Sequence, residues 1–125
     1  RVWCIDGDGS ALMHMGALAL IGAKAPSNLV HVIINNGAHE SVGGQPTVAK
    51  QIDFQKIALG CGYKEVYRAT SSDELESDIL QLLRQQGPIL LEVVAAIGSR
   101  SDLGRPTTTP AENKRAFMKY LKECR

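Results

Sequence analysis

Two apolar runs, each ending in turn-forming residues that carry oxygen ligands, constrain this chain more than any other feature. Residues 5 to 10 read Ile-Asp-Gly-Asp-Gly-Ser, and residues 32 to 37 read Val-Ile-Ile-Asn-Asn-Gly. Gly7 and Gly9 let the backbone turn sharply and bring N–H groups close to an anion. Asp8 offers a charged oxygen and Asn36 a neutral one at the end of the next apolar run. Mg²⁺ takes a few oxygen ligands in octahedral geometry, usually shared with the phosphates of a substrate or cofactor. The two run ends together therefore read as a site for a metal-bound diphosphate.

The rest of the chain supplies a frame for that site. Strands are expected at Val2–Asp6, Leu29–Asn35, Glu65–Arg68 and Ile89–Ala95. Their solid apolar runs, without period-two alternation, fit a parallel sheet covered on both faces. Ala11–Ile21 is apolar nearly all round, which predicts one buried helix. Asp53–Leu59 predicts a shorter helix that ends near Gly60 and Gly62.

Ser71-Ser72-Asp73-Glu74 has a capping-box pattern and opens a helix whose apolar face is Leu75, Ile79, Leu82 and Leu83, with Gly87-Pro88 as its stop. Thr109-Pro110-Ala111-Glu112 repeats the pattern with Pro in the first turn, ahead of a face made by Ala116, Phe117, Tyr120 and Leu121. Strands alternating with helices imply an α/β fold: a three-layer sandwich around a mostly parallel sheet. In such sheets ligands bind outside the carboxyl ends of the strands. Asp8, Gly9 and Ser10, the glycine-rich segment from Asn36 to Gln45, and the segment from Gly98 to Thr109 all fall there.

Composition narrows the function class. A formal net charge of +1 gives no field that would attract nucleic acid or an anionic membrane. No stretch is long and apolar enough to span a bilayer. Cys4, Cys61 and Cys124 are odd in number and their spacing fits no metal motif; Cys4, inside an apolar run, reads as a buried free thiol suited to a reducing cytoplasm. A chain that begins with Arg1 directly in a strand pattern is expected to be a fragment of a larger protein, or one whose upstream part is missing, with residues 1–125 as one domain. A non-catalytic nucleotide-binding or regulatory module is the alternative from another class. The three-glycine dinucleotide fingerprint is not met, because Leu12 stands where its last glycine would be.

At Gly7-Asp8-Gly9 and Asn35-Asn36 the chain resembles the thiamine-diphosphate enzymes. The resemblance covers the whole chain and implies their diphosphate-binding fold, with thiamine diphosphate and Mg²⁺ as cofactors. It implies that Asp8 and Asn36 ligate Mg²⁺ through side-chain oxygens and Ala38 through its carbonyl. Gly7, Asp8, Gly9, Ser10, Asn36 and Ala38 become the cofactor-binding set, with Gly9 and Ser10 at the diphosphate. The residues from Asn36 to Thr47 and from Gly104 to Pro110 look like those of the phosphonopyruvate decarboxylases, to which the sulfopyruvate decarboxylases are close relatives.

That resemblance implies a carboxy-lyase acting on a small 2-oxo acid. For phosphonopyruvate the products would be phosphonoacetaldehyde and CO₂. The cofactor would take up the electron pair that CO₂ leaves behind. It also implies a separate pyrimidine-binding domain, from the same or another subunit of a homo-oligomer, which supplies the activating glutamate. The isolated chain is expected to be inactive.

Several residues carry two readings at this stage. Asp8 either ligates or caps the following helix. His39 either serves the substrate as donor or proton carrier, the catalytic assignment the resemblance favours, or is an ordinary loop histidine. Gln45 either bonds substrate or holds its loop. Arg100 and Arg105 suit a phosphonate through bidentate bonds, or are solvated. Glu40 reads as a base or a solvated charge, with the latter favoured, Asn35 as a residue that fixes the loop by bonding backbone, His31 as a packed or interface histidine and His14 as a structural one.

Overall fold

The structure is a computed structural model that describes residues 1–124. Four strands form one sheet: β1 (Val2–Gly7), β2 (Leu29–Asn35), β5 (Glu65–Ala69) and β6 (Ile89–Val94). They lie in the order β1-β2-β6-β5, and every neighbouring pair is parallel. Between β2 and β5 the chain adds a two-stranded antiparallel pair, β3 (Ala38–His39) and β4 (Gln45–Pro46). The helices are α1 (Asp8–Met13), α2 (Gly16–Lys24), α3 (Phe54–Cys61), α4 (Ser72–Leu82) and α5 (Pro110–Glu123).

Strand order explains the layers. The chain winds outward from β1 to β2 and on to β5, then reverses and inserts β6 between β2 and β5. Helices α1 to α3 pack on one face, where Ala11, Leu18, Phe54 and Ala58 close over Ile33 and Leu90. Helix α4 takes the opposite face, where Leu82 and its neighbours Leu75 and Ile79 meet Val30, Val32, Ile89 and Leu91. These two buried clusters make the three-layer α/β sandwich expected from the element order. Tight packing within the first layer depends on Gly22: a Cβ there would lie 1.7 Å from the backbone oxygen of Cys61 at the end of α3.

The structure corrects four expectations. The helix foreseen over Ala11–Ile21 is two helices, broken at His14 and Met15 by hydrogen bonds of three-residue span, Ala17 N–H to His14 O and Leu18 N–H to Met15 O. Gly16, a poor helix former, starts the second piece. Within α2 only Leu18 is buried, and Leu20 is exposed, because one sheet can cover only one side of a helix that is apolar all round.

Cys4 is exposed rather than buried, since β1 is an edge strand whose flank is uncovered. Leu83 falls just beyond α4 and is exposed; the helix stops at Leu82, ahead of Gly87-Pro88. Two other expectations hold. Ser71 caps α4 by accepting from Glu74 N–H at 3.2 Å, and Thr109 and Glu112 form a complete capping box on α5.

Candidate functional site

The carboxyl end of β1 runs directly into α1. Gly7 is the cap residue, and Asp8 follows it as the first residue of the helix. The capping alternative for Asp8 therefore fails. The side chain is 1% exposed, and its Oδ2 accepts the Thr47 hydroxyl from the long loop after β2. A buried carboxylate with one hydroxyl donor has oxygen lone pairs to spare, and burial of a charge calls for a counter-charge. That is a donor set suited to a hard cation.

The β2 end is built around the two asparagines. Asn35 is buried; its Oδ1 accepts from Gly37 N–H at 3.2 Å, and its Nδ2 donates to Glu92 at 2.6 Å. It fixes the loop, as its sequence context suggested. Asn36 projects the other way. Its Nδ2 donates to Glu40 Oε2 at 2.8 Å, and its Oδ1 accepts from Ala38 N–H at 3.0 Å. With the amide nitrogen held by Glu40, the oxygen keeps a second lone pair for a cation. Ala38 pairs with Pro46 next to the Thr47 N–H to Gly37 O bond, a non-hydrogen-bonded position of the antiparallel pair whose carbonyl turns away from β4. Asp8, Asn36 and Ala38 thus fit a Mg²⁺ ion shared with a diphosphate.

His39 reaches back to α1. A Cβ on Gly9 would lie 2.4 Å from His39 Nδ1, so the second glycine of Gly7-Asp8-Gly9 is what lets the imidazole pack over the start of α1. Ser10 sits in the same turn, its hydroxyl 3.3 Å from Asp6 Oδ1. Gln45 pairs in register with His39, and a Cβ on Gly43 would lie 2.9 Å from its Nε2.

Glu40, weighed from the sequence as a base or a solvated charge, and two residues that sequence reading passed over, Thr47 and Lys50, shape the site. Glu40 is no free solvated charge: besides Asn36, it accepts from Gly98 N–H at 2.8 Å, tying the loop after β2 to the loop after β6. Thr47 positions Asp8. Lys50 lines a cleft of about 650 Å³ together with Asn35, Asn36, Asp53, Arg68 and Glu92. Buried Glu92 anchors that wall, bonded to Asn35 and paired with Arg68 Nε at 3.3 Å.

Of the third loop, only its start reaches the site. Arg100 pairs with Asp102 at 3.0 Å, both exposed, and Arg105 lies exposed in the segment ahead of α5. The structure packs His39 against Gly9 at the start of α1 and bonds Thr47 to Asp8, which draws the segment after β2 onto the Gly7–Ser10 turn; Gln45 pairs with His39, and Arg105 takes part in no hydrogen bond or ion pair among the described residues.

Residues 1–93 match the family model described as the thiamine pyrophosphate enzyme C-terminal TPP-binding domain. The chain belongs to this family. Among curated relatives, a phosphonopyruvate decarboxylase from Streptomyces viridochromogenes is 44% identical over 117 residues, covering 94% of this chain and 30% of the relative. A sulfopyruvate decarboxylase subunit beta from Methanococcus maripaludis is 30% identical over 123 residues, covering 98% of this chain and 65% of the relative. The chain is thus shorter than either of these proteins.

Among solved structures, a Mycobacterium smegmatis protein described as a thiamin diphosphate-dependent enzyme aligns with a TM-score of 0.63 and 25% identity. That alignment covers 79% of this chain and 18% of the other. Membership in the TPP-binding family gives the domain a cofactor, thiamine diphosphate.

Proposed function

We propose that this TPP-binding domain holds the Mg²⁺–diphosphate end of thiamine diphosphate in an enzyme that decarboxylates phosphonopyruvate to phosphonoacetaldehyde and CO₂. One observation carries the reading: Asp8 is buried at the end of β1 with its carboxylate held by Thr47, and on the loop after β2 Glu40 holds the Asn36 amide nitrogen so that the amide oxygen is left to a cation. When bound, the cofactor supplies an electron sink for the carbanion left by loss of CO₂. The chain's own residues do the rest. Asp8, Asn36 and Ala38 hold the cation, the N–H groups at the start of α1 face the diphosphate, and His39 carries the catalytic assignment as donor to the substrate or carrier of a proton.

Substrate choice rests on charge and on the relatives. Lys50 brings a cation to the cleft beside Asn36, which suits a 2-oxo acid bearing a second anionic group. Arg105 and Gln45 are assigned to the substrate side. The phosphonate reading is favoured by the 44% identity to a phosphonopyruvate decarboxylase, and the second reading, sulfopyruvate, by the subunit beta match that spans nearly the whole chain.

The domain works with a pyrimidine-binding domain from the same or another subunit of a homo-oligomer. Exposed Trp3, Ile5, Met13 and Leu20 leave apolar surface for such a neighbour. An assay of the complete enzyme with both substrates tests the function. Aldehyde release from phosphonopyruvate, with a kcat/KM well above that for sulfopyruvate, is expected; the reverse preference would establish the second reading. The chain by itself, with cofactor and Mg²⁺, should give no turnover above background.

A further inference from the structure

Away from Asp8 and Asn36, the parallel register of β1 and β2 assembles a set of side chains that sequence spacing hides. Cys4 and Asp6 lie two apart on β1 and so face the same side, and Cys4 is the register partner of His31 on β2. One ligand atom from each of Cys4, Asp6 and His31 lies within 4.8 Å of the other two. Asp6 Oδ2 is 3.0 Å from His31 Nε2 and 3.8 Å from Cys4 Sγ. In a tetrahedral zinc site, a nitrogen at about 2.0 Å and a sulfur at about 2.3 Å from the metal stand roughly 3.5 Å apart. Side-chain shifts of about 1 Å would bring these three atoms to such spacings.

We propose that Cys4, Asp6 and His31 form a Zn²⁺ site that clips edge strand β1 to β2. The donor set, one sulfur, one imidazole nitrogen and one carboxylate oxygen, suits Zn²⁺ over the hard Mg²⁺ assigned to Asp8. The surroundings match those of a metal-binding histidine. His31 is buried, and its Nδ1 lies 3.0 Å from the Tyr63 hydroxyl. With Nδ1–H donating to that oxygen, Nε2 presents its lone pair toward Asp6 and Cys4. Burial pushes the Tyr63 phenol up, so it remains a neutral partner.

Burial and the Asp6 carboxylate push the Cys4 thiol up as well, and Zn²⁺ would displace its proton on binding. A cavity of about 230 Å³ lined by Asp6, His31, Ser10 and His14 adjoins the cluster and leaves room for a water as the fourth ligand.

Co²⁺ reports the site directly, because thiolate-to-cobalt charge transfer gives a near-ultraviolet band that oxygen ligands at Asp8 and Asn36 cannot produce. Titrating the complete enzyme, held reduced, with Co²⁺ should raise this band to a stoichiometric plateau that one equivalent of Zn²⁺ bleaches. Cys4→Ser should abolish the band. Cys61→Ser and Cys124→Ser should retain it, and Zn²⁺ should raise the Tm of the unsubstituted enzyme more than that of Cys4→Ser. His31→Gln is the weaker variant because His31 is buried, so Cys4→Ser, at an exposed position, is the deciding one. Absence of a band, or a band that survives Cys4→Ser, would overturn the proposal and leave Cys4, Asp6 and His31 as a hydrogen-bonded cluster without an ion.

Discussion

Asn36 and Glu40 show how a ligand and the residue that aims it share one loop. An asparagine can offer a cation either its oxygen or, wrongly turned, its NH₂ group. Glu40 takes the NH₂ at 2.8 Å and settles the choice, while its other oxygen holds Gly98 N–H of the neighbouring loop. Glu40→Ala is therefore expected to weaken Mg²⁺-dependent cofactor binding about 10–100-fold, the usual loss when a residue orienting a metal ligand is removed. Titration calorimetry on the complete enzyme would read it; an affinity unchanged by the substitution would show that Asn36 orients without help.

The ligand candidates Asp8 and Asn36 were legible in the sequence because their residue types at two strand ends already imply the chemistry. Glu40 was not, because its role depends on a contact with Gly98, which lies far along the chain and is brought near only by the sheet. The same holds for Cys4 and His31, which become neighbours only through the β1–β2 register.

Elements were foreseen best where local chemistry alone decides them. The capping residues Ser71 and Thr109 mark true helix starts, since a cap needs only its own next three residues. The break between α1 and α2 was missed because an apolar run does not reveal where its register shifts. The contact of α2 with α3 makes a further test. Gly22→Ala would place a Cβ against the Cys61 carbonyl, a backbone atom that cannot move aside cheaply. A destabilisation of about 1–3 kcal/mol is expected from overpacking at this crossing, read by denaturant unfolding. No change in midpoint would mean that the two helices part without cost.

The α4 cap also has a pH signature. Thr70 donates its hydroxyl and its backbone N–H, each at 2.7 Å, to Glu74 Oε2 and holds that carboxyl below its ordinary value. A depressed carboxylate stabilises its helix end above the ordinary Glu value and loses that contribution as pH falls through the lower folded value. The Thr70 amide resonance should therefore titrate below the usual glutamate range by NMR. In Thr70→Ala, which removes the hydroxyl donor, its midpoint should move upward; an identical midpoint would remove the hydroxyl from the account.

At the scale of the molecule, the sheet collects the ends of β1 and β2 into one place, and a reversal of winding puts helices on both faces. What the sequence could not show is how much apolar surface the chain leaves uncovered. Solid apolar runs predict burial, but Trp3 and Ile5 on β1 and the stripe of Phe117, Tyr120 and Leu121 on α5 are exposed. Their cover, on the proposed account, comes from the rest of the enzyme. Thiamine diphosphate titrated calorimetrically into the complete enzyme tests that account at its centre. Binding should be tight with Mg²⁺, should collapse when the metal is chelated, and should be lost in Asp8→Asn at the same metal concentration. Equal affinity with and without Mg²⁺, or undiminished binding by Asp8→Asn, would contradict the assignment of Asp8, Asn36 and Ala38 as the site of the metal-bound diphosphate.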